Sequence, residues 1–250
     1  MPKQTFFNLP DDKRERIAEL AIEEFSERPY SKASISRMVE RAGIAKGSFY
    51  QYFEDKLDVY RWLMFDYTAA KKLAFLKEHP APTAISFFEQ LEHLFLFGLK
   101  FGLTHPRLSR AAASLWHFEA TDKDLATLAG ERQKIARENF IAILKQGQAA
   151  GQVRTDVDLQ LAAEMLLAMA QHGIDMALKR RLGVDLIEFC TRPELADAFS
   201  EPEQKQLIAG LMSVLRRGLE AEGASPASSA IDLTELPHQF QGKNNTEEEP

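Results

Sequence analysis

Residues 34–53 read SISRMVERAGIAKGSFYQYF, and this stretch decides the fold. Ile35, Met38, Val39 and Ala42 fall three and four apart, which places them on one face of a short helix over 35–42. Ser34 is a candidate N-cap for it. Gly43 supplies the left-handed conformation that ends a helix sharply. A second short helix follows over about 45–53, with Phe49 and Phe53 four apart on its inner side. Two short helices joined by a glycine turn form the helix-turn-helix pattern. In that pattern the first helix crosses the backbone of DNA and the second enters the major groove.

The outward side of the second helix has the chemistry for such a task. Lys46 and Lys56 offer charges for phosphate, and Gly47 lets the backbone come close to a ligand. Ser48 can reach a base edge, and Gln51 carries the amide that pairs with adenine in the major groove. Tyr50 and Tyr52 hold hydroxyls on rigid rings, suited to phosphate oxygens. The competing reading packs all four aromatic residues at 49, 50, 52 and 53 into a small core; it suits Phe49 and Phe53 better than the tyrosines.

Outward from this stretch the periodicity stays helical. Ile17, Leu20, Ala21 and Phe25 mark one face of a helix over 11–27, opened by Pro10 and two aspartates and stopped by Pro29. Asp55 caps a helix over 56–79, and further helices are predicted over 83–104, 106–118, 122–150, 158–182 and 202–222. The chain is therefore expected to be all-α, with about nine to ten helices. A three-helix DNA-binding domain is expected at 1–55, a larger helical domain at 56–222, and a flexible acidic tail at 223–250.

Charge is uneven along the 250 residues. The net charge is −6, yet residues 28–56 hold six basic against three acidic side chains, and residues 223–250 hold one against five. Charge alone permits phosphate binding without requiring it. The N-terminus lacks the apolar core of a signal peptide, and no apolar run approaches a membrane span, so a cytoplasmic location is expected. A single cysteine, Cys190, excludes a disulfide within one chain and a Cys-rich zinc site. No His-Glu-x-x-His, Gly-x-Ser-x-Gly or phosphate-cradling loop is present. Neither an enzyme, a metal site nor a cofactor is expected. A helical adaptor that binds no DNA is the other class compatible with the composition, but it leaves Lys46, Tyr50, Gln51 and Tyr52 without a purpose.

Residues 42–60, AGIAKGSFYQYFEDKLDVY, resemble the signature of TetR-type one-component regulators, and 33–39, ASISRMV, resemble the segment upstream of it. Close matching covers about 13–62. Ala33 and Ala45 stand where a hydroxyl residue is often found, which puts one cap and one phosphate contact in doubt, and Met38–Val39 replaces a commoner Ile-Ala. The resemblance implies that Ser34, Ser36, Arg37, Lys46, Gly47, Ser48, Tyr50, Gln51, Tyr52 and Lys56 face double-stranded DNA. Arg37, Ser48 and Gln51 would read bases, while Lys46, Tyr50, Tyr52 and Lys56 would mostly hold phosphates. It further implies a homodimer through the helices at 158–182 and 202–222, whose apolar residues cover more than one face, and a repressor released from a palindromic operator by a small effector. The effector pocket would be hydrophobic, walled by Phe65, Phe88, Phe95, Trp116, Phe140, Met165, Met169 and His172, with His93, His117 and Gln171 as further polar candidates.

Overall fold

The computed structural model describes residues 1–80, 86–116, 122–192, 194–195 and 199–220, the side chains of 113, 114 and 116 excepted. Among them eleven α-helices and one 3-10 turn, Tyr30–Lys32, occur, and the only extended pairing is one bridge between Val153 and Glu220. Two helices add to the nine read from the sequence. α1, Gln4–Phe7, opens the chain, and α10, Leu186–Thr191, lies in the stretch expected to be irregular. The expected acidic tail at 223–250 lies outside the described residues.

The chain divides into two compact units. The first joins Met1–Lys72 to His105–Gly130, and the second joins Leu73–Thr104 to the described residues from Glu131 onward. This differs from a boundary at 55/56. Helix α7, Pro106–Trp116, packs along α2, Asp11–Glu27, and so belongs with the N-terminal helices despite its place in the sequence.

In the first unit α2 buries Ala18, Leu20, Ala21, Ile22 and Phe25. Helix α3, Ile35–Ala42, packs on α2, and α4, Lys46–Tyr52, packs on α3 and α1. Their turn is fixed by Gly43 at φ 65°, with Ile44 N–H bonded to the Val39 carbonyl at 3.1 Å. Helix α5 runs Lys56–Trp62, passes through one π turn at Leu63–Tyr67 and continues as Thr68–Glu78. Asp55 caps it by accepting from Asp58 N–H at 2.8 Å. The Tyr60 hydroxyl, fully buried, donates to the Ala111 carbonyl at 2.9 Å, which joins α5 to α7.

The second unit is built from α6, Phe87–Thr104, α8, Lys123–Ala149, of which the later part lies here, α9, α10 and α11, Glu201–Leu219. Helix α9 runs Leu159–Ala168, takes a π turn at Met169–Gly173 and ends as Ile174–Leu182. Asp158 caps its start and Gly183, at φ 75°, its end. Phe87, Phe88, Leu91, Phe95, Ile143, Leu144, Leu166, Leu178, Phe189 and Ile208 form one continuous core. At Gly147 a Cβ would sit 2.7 Å from the Phe87 ring and 2.6 Å from Val153, so only glycine lets α8 and α6 approach this closely. Among the described residues no helix is long and apolar enough to cross a membrane.

Candidate nucleic-acid interface

The inner face of the α3–α4 pair is buried through Met38, Val39, Phe49 and Phe53. That leaves the outer face of α4 in water. Lys46, Gly47, Tyr50 and Gln51 are exposed, as is Ser36 on α3, while Ser34, Ser48 and Tyr52 are half-buried. A Cβ at Gly47 would meet no atom within 4 Å, so the fold itself does not demand glycine there. The outer surface thus brings together a cation, an amide, hydroxyls and a bare stretch of backbone. These are the groups that contact phosphates and base edges.

Two of the expected DNA-facing cations have other tasks. Glu24 lies on the inner face of α2 with a side chain 0% exposed. Its carboxylate accepts from Ser34 N–H at 2.8 Å and from Arg37 Nε at 2.9 Å, and Arg37 Nη2 closes the pair. The same Nη2 donates to the Lys32 carbonyl at 2.6 Å, and Arg28 stands 3.5 Å from the second carboxylate oxygen. Burial alone would push the Glu24 carboxyl up. The bonds from Arg37 and Ser34 and the charges of Arg37 and Arg28 outweigh it and hold the group below its usual value. Arg37 is therefore committed to a buried carboxylate and does not project toward a base. Ser34 occupies the N-cap position, but its hydroxyl makes no capping bond.

Lys56 is likewise turned inward. Its ammonium donates to the Tyr30 carbonyl at 2.7 Å and the Ala33 carbonyl at 3.3 Å, and sits 4.3 Å from the centre of the Tyr30 ring. Burial lowers its pKa, opposed by the carboxylates of Asp122, Asp124 and Glu24. Glu24, Arg37 and Lys56 together bind the backbone of the loop between α2 and α3. Glu24 is not legible in the apolar stripe of α2, because a carboxylate on that face carries no local signal that a guanidinium will meet it.

The expected effector wall is only partly assembled. Phe88 and Phe95 are buried in the second unit, with Phe140 6.2 Å from Phe95 between ring centres, and Met169 packs on the same core. Met165 is 50% exposed and His172 is exposed, so neither lines an interior wall. The α-helical period before the π turn carries Met165 outward, together with Leu161. Phe65 belongs to the first unit, its ring facing the Arg61 guanidinium at 5.3 Å. The Trp116 side chain and His117 lie outside the described residues. A buried polar residue that the sequence reading missed precedes Phe140 in the chain. Asn139 is 3% exposed, and neither its amide nitrogen nor its amide oxygen has a partner. A surface cavity of about 590 Å³ lies elsewhere in the unit, lined by polar groups such as Gln148, Arg154, Asp156 and Arg217.

Comparison with known proteins agrees with this geometry. The family model described as bacterial regulatory proteins, tetR family, matches residues 17–61, and one described as BetI-type transcriptional repressor, C-terminal, matches 89–171. A crystal structure of a TetR family regulator from Chloroflexus aurantiacus J-10-FL is 31% identical, covering 89% of this chain and all of that one, at a TM-score of 0.62. The transcriptional repressor BepR of Brucella suis is 26% identical over 182 residues, 70% of this chain and 84% of that protein. The regulator FadR of Bacillus subtilis, solved with stearoyl-CoA, shares the fold at a TM-score of 0.58 and 17% identity, covering 80% of this chain and 97% of that one. The chain belongs to the TetR family of bacterial DNA-binding transcriptional regulators.

Proposed function

We propose that the protein is a homodimeric repressor whose paired α4 helices read a palindromic operator and release it when an apolar or amphipathic effector binds the second unit. The observation that carries the DNA reading is the outer face of α4, where Lys46, Gly47, Tyr50 and Gln51 are exposed on a helix otherwise anchored by Phe49. On this reading Lys46 and the tyrosine hydroxyls hold phosphates, Gln51 and Ser48 read bases, and Ser36 joins from α3. Arg37, Lys56 and Ser34 support them from behind.

A dimer accounts for the apolar residues left in water on α9 and α11. Leu161 is 61%, Met176 66% and Val214 74% exposed. With Met165, that makes three such side chains on α9 and one on α11, and an exposed apolar patch marks a protein–protein surface. An apolar effector fits the aromatic interior around Phe88, Phe95 and Phe140, and the stearoyl-CoA carried by the FadR neighbour is amphipathic in the same sense. Release requires that the effector bind one state of the dimer better than the other.

The test selects DNA from a random-sequence duplex pool with the intact protein and measures affinity by anisotropy over a salt series. A specific duplex is expected, and Lys46→Ala should shallow the log–log salt slope by about 0.9, the value for one phosphate contact. Selection of no sequence above background refutes the reading.

A further inference from the structure

α4 is a helix of only seven residues, Lys46–Tyr52. Two turns of helix are marginal on their own, and the last four carbonyls of any helix have no partner within it. Of these four in α4, the Phe49 carbonyl accepts from Phe53 N–H at 2.9 Å. The other three are all met by one short segment from the other end of the unit. Lys3 Nζ donates to the Tyr50 carbonyl at 2.8 Å, the Thr5 hydroxyl donates to the Gln51 carbonyl, and Lys3 N–H donates to the Tyr52 carbonyl at 2.8 Å.

The segment that does this is itself anchored. Phe6 is fully buried, its ring 4.9 Å from Phe53 and 4.8 Å from Trp62 between centres. Arg14 on α2 holds the carbonyls of Phe7 and Leu9 at 2.7 and 2.8 Å. The Lys3 charge lies at the negative end of the α4 dipole, where a cation is favoured.

We infer that Lys3, Thr5 and Phe6 form a C-terminal cap for the reading helix and position it for DNA. Phe6 fixes the segment, and Lys3 and Thr5 hold the last turn of α4, which carries Tyr50 and Gln51. These three are positioning residues, because they act on DNA through α4. The inference rests on α4 being the helix that reads DNA, but the capping itself can be tested separately.

The test uses the full chain with Thr5→Val, Thr5→Ser, Lys3→Met and Lys3→Arg. Hydrogen exchange is followed at the amides of 50–53, and affinity is measured for the duplex selected by the wild-type protein. Thr5→Val and Lys3→Met should each speed exchange at 50–53 by about fivefold, as loss of one hydrogen bond implies. Both should weaken the duplex by a similar factor with the salt slope unchanged. Thr5→Ser and Lys3→Arg should restore both quantities. Unchanged exchange at 50–53 in Thr5→Val overturns the cap. A salt slope shallower by about one in Lys3→Met, without faster exchange, overturns it too and makes Lys3 a phosphate ligand. If the wild-type protein selects no duplex, the DNA-reading assignment falls, while the exchange data still decide the cap.

Discussion

The pair of Glu24 and Arg37 permits a sharp energetic prediction, because its two ends differ in exposure. The Glu24 side chain is 0% exposed and that of Arg37 is 38% exposed. Removing one partner of a fully buried pair costs about 3–5 kcal/mol. Here water reaches the guanidinium, so the cost must be discounted. Arg37→Met strands the buried carboxylate with only Ser34 N–H and the more distant Arg28, and should cost about 2–3 kcal/mol. Glu24→Gln strands the partly solvated cation instead and should cost about 1–2 kcal/mol. For a chain of this size that corresponds to roughly 4–12 °C and 2–8 °C in melting temperature. The double variant should cost less than the sum, since independent sites add to within about 0.5 kcal/mol and these share a bond.

Acidity supplies a second arm. The Glu24 carboxyl is held below its usual value in the folded protein. Its contribution is therefore fully present above the unfolded carboxylate pKa of about 4.3 and lost as the pH falls through the folded value. The stability gap between wild type and Glu24→Gln should be constant from about pH 6 to 8 and close on acidification below about 4. Denaturant melts at a series of pH values measure both arms. A Glu24→Gln variant as costly as Arg37→Met, strict additivity, or a gap that does not narrow at all as the pH falls below about 4 would refute the reasoning.

Three further outcomes are expected. Lys56→Met should lower the melting temperature by a few degrees, since two carbonyls lose their donor, yet leave the DNA salt slope unchanged; a slope shallower by about one would make Lys56 a phosphate ligand after all. Val214→Glu combined with Met176→Glu should halve the particle mass seen by light scattering at micromolar protein, whereas an unaltered mass would move the dimer surface elsewhere. Burial, with Asp185 nearby, pushes the Cys190 thiol up to about 12, so iodoacetamide at pH 8 should leave it unmodified until denaturant is added; stoichiometric labelling of the native protein within minutes contradicts the burial.

What could be read from the sequence was what local chemistry determines. The bounds of α2 and α3 follow from Pro10, Pro29 and Gly43, and the structure repeats them residue for residue. Asp55 and Asp158 cap where an acid precedes a helical period, and Gly151 and Gly183 take the positive φ that ends a helix. The outer face of α4 was legible because seven residues cannot bury every side. The rest depends on partners remote in sequence. α1 is too short to show a period, and its meaning comes from Phe53 and Trp62 nearly fifty or more residues away. Glu24, Arg37 and Lys56 each look like surface charges until the loop at 29–34 folds between them. Met165 and His172 look like parts of an interior wall in the sequence, because a helix apolar on most sides does not show which of its faces meets its own core.

The π turns at Leu63–Tyr67 and Met169–Gly173 change how the two helices that contain them are counted. A π turn is one residue inserted into an α-helix, and one residue is about 100° of rotation. Every side chain after Tyr67 on α5, and after Gly173 on α9, is therefore one step out of frame with the side chains before it. A relative that lacks either turn should align with this chain only through a single-residue gap at that point. Without the gap, each position downstream would be matched to one about 100° around the helix from it.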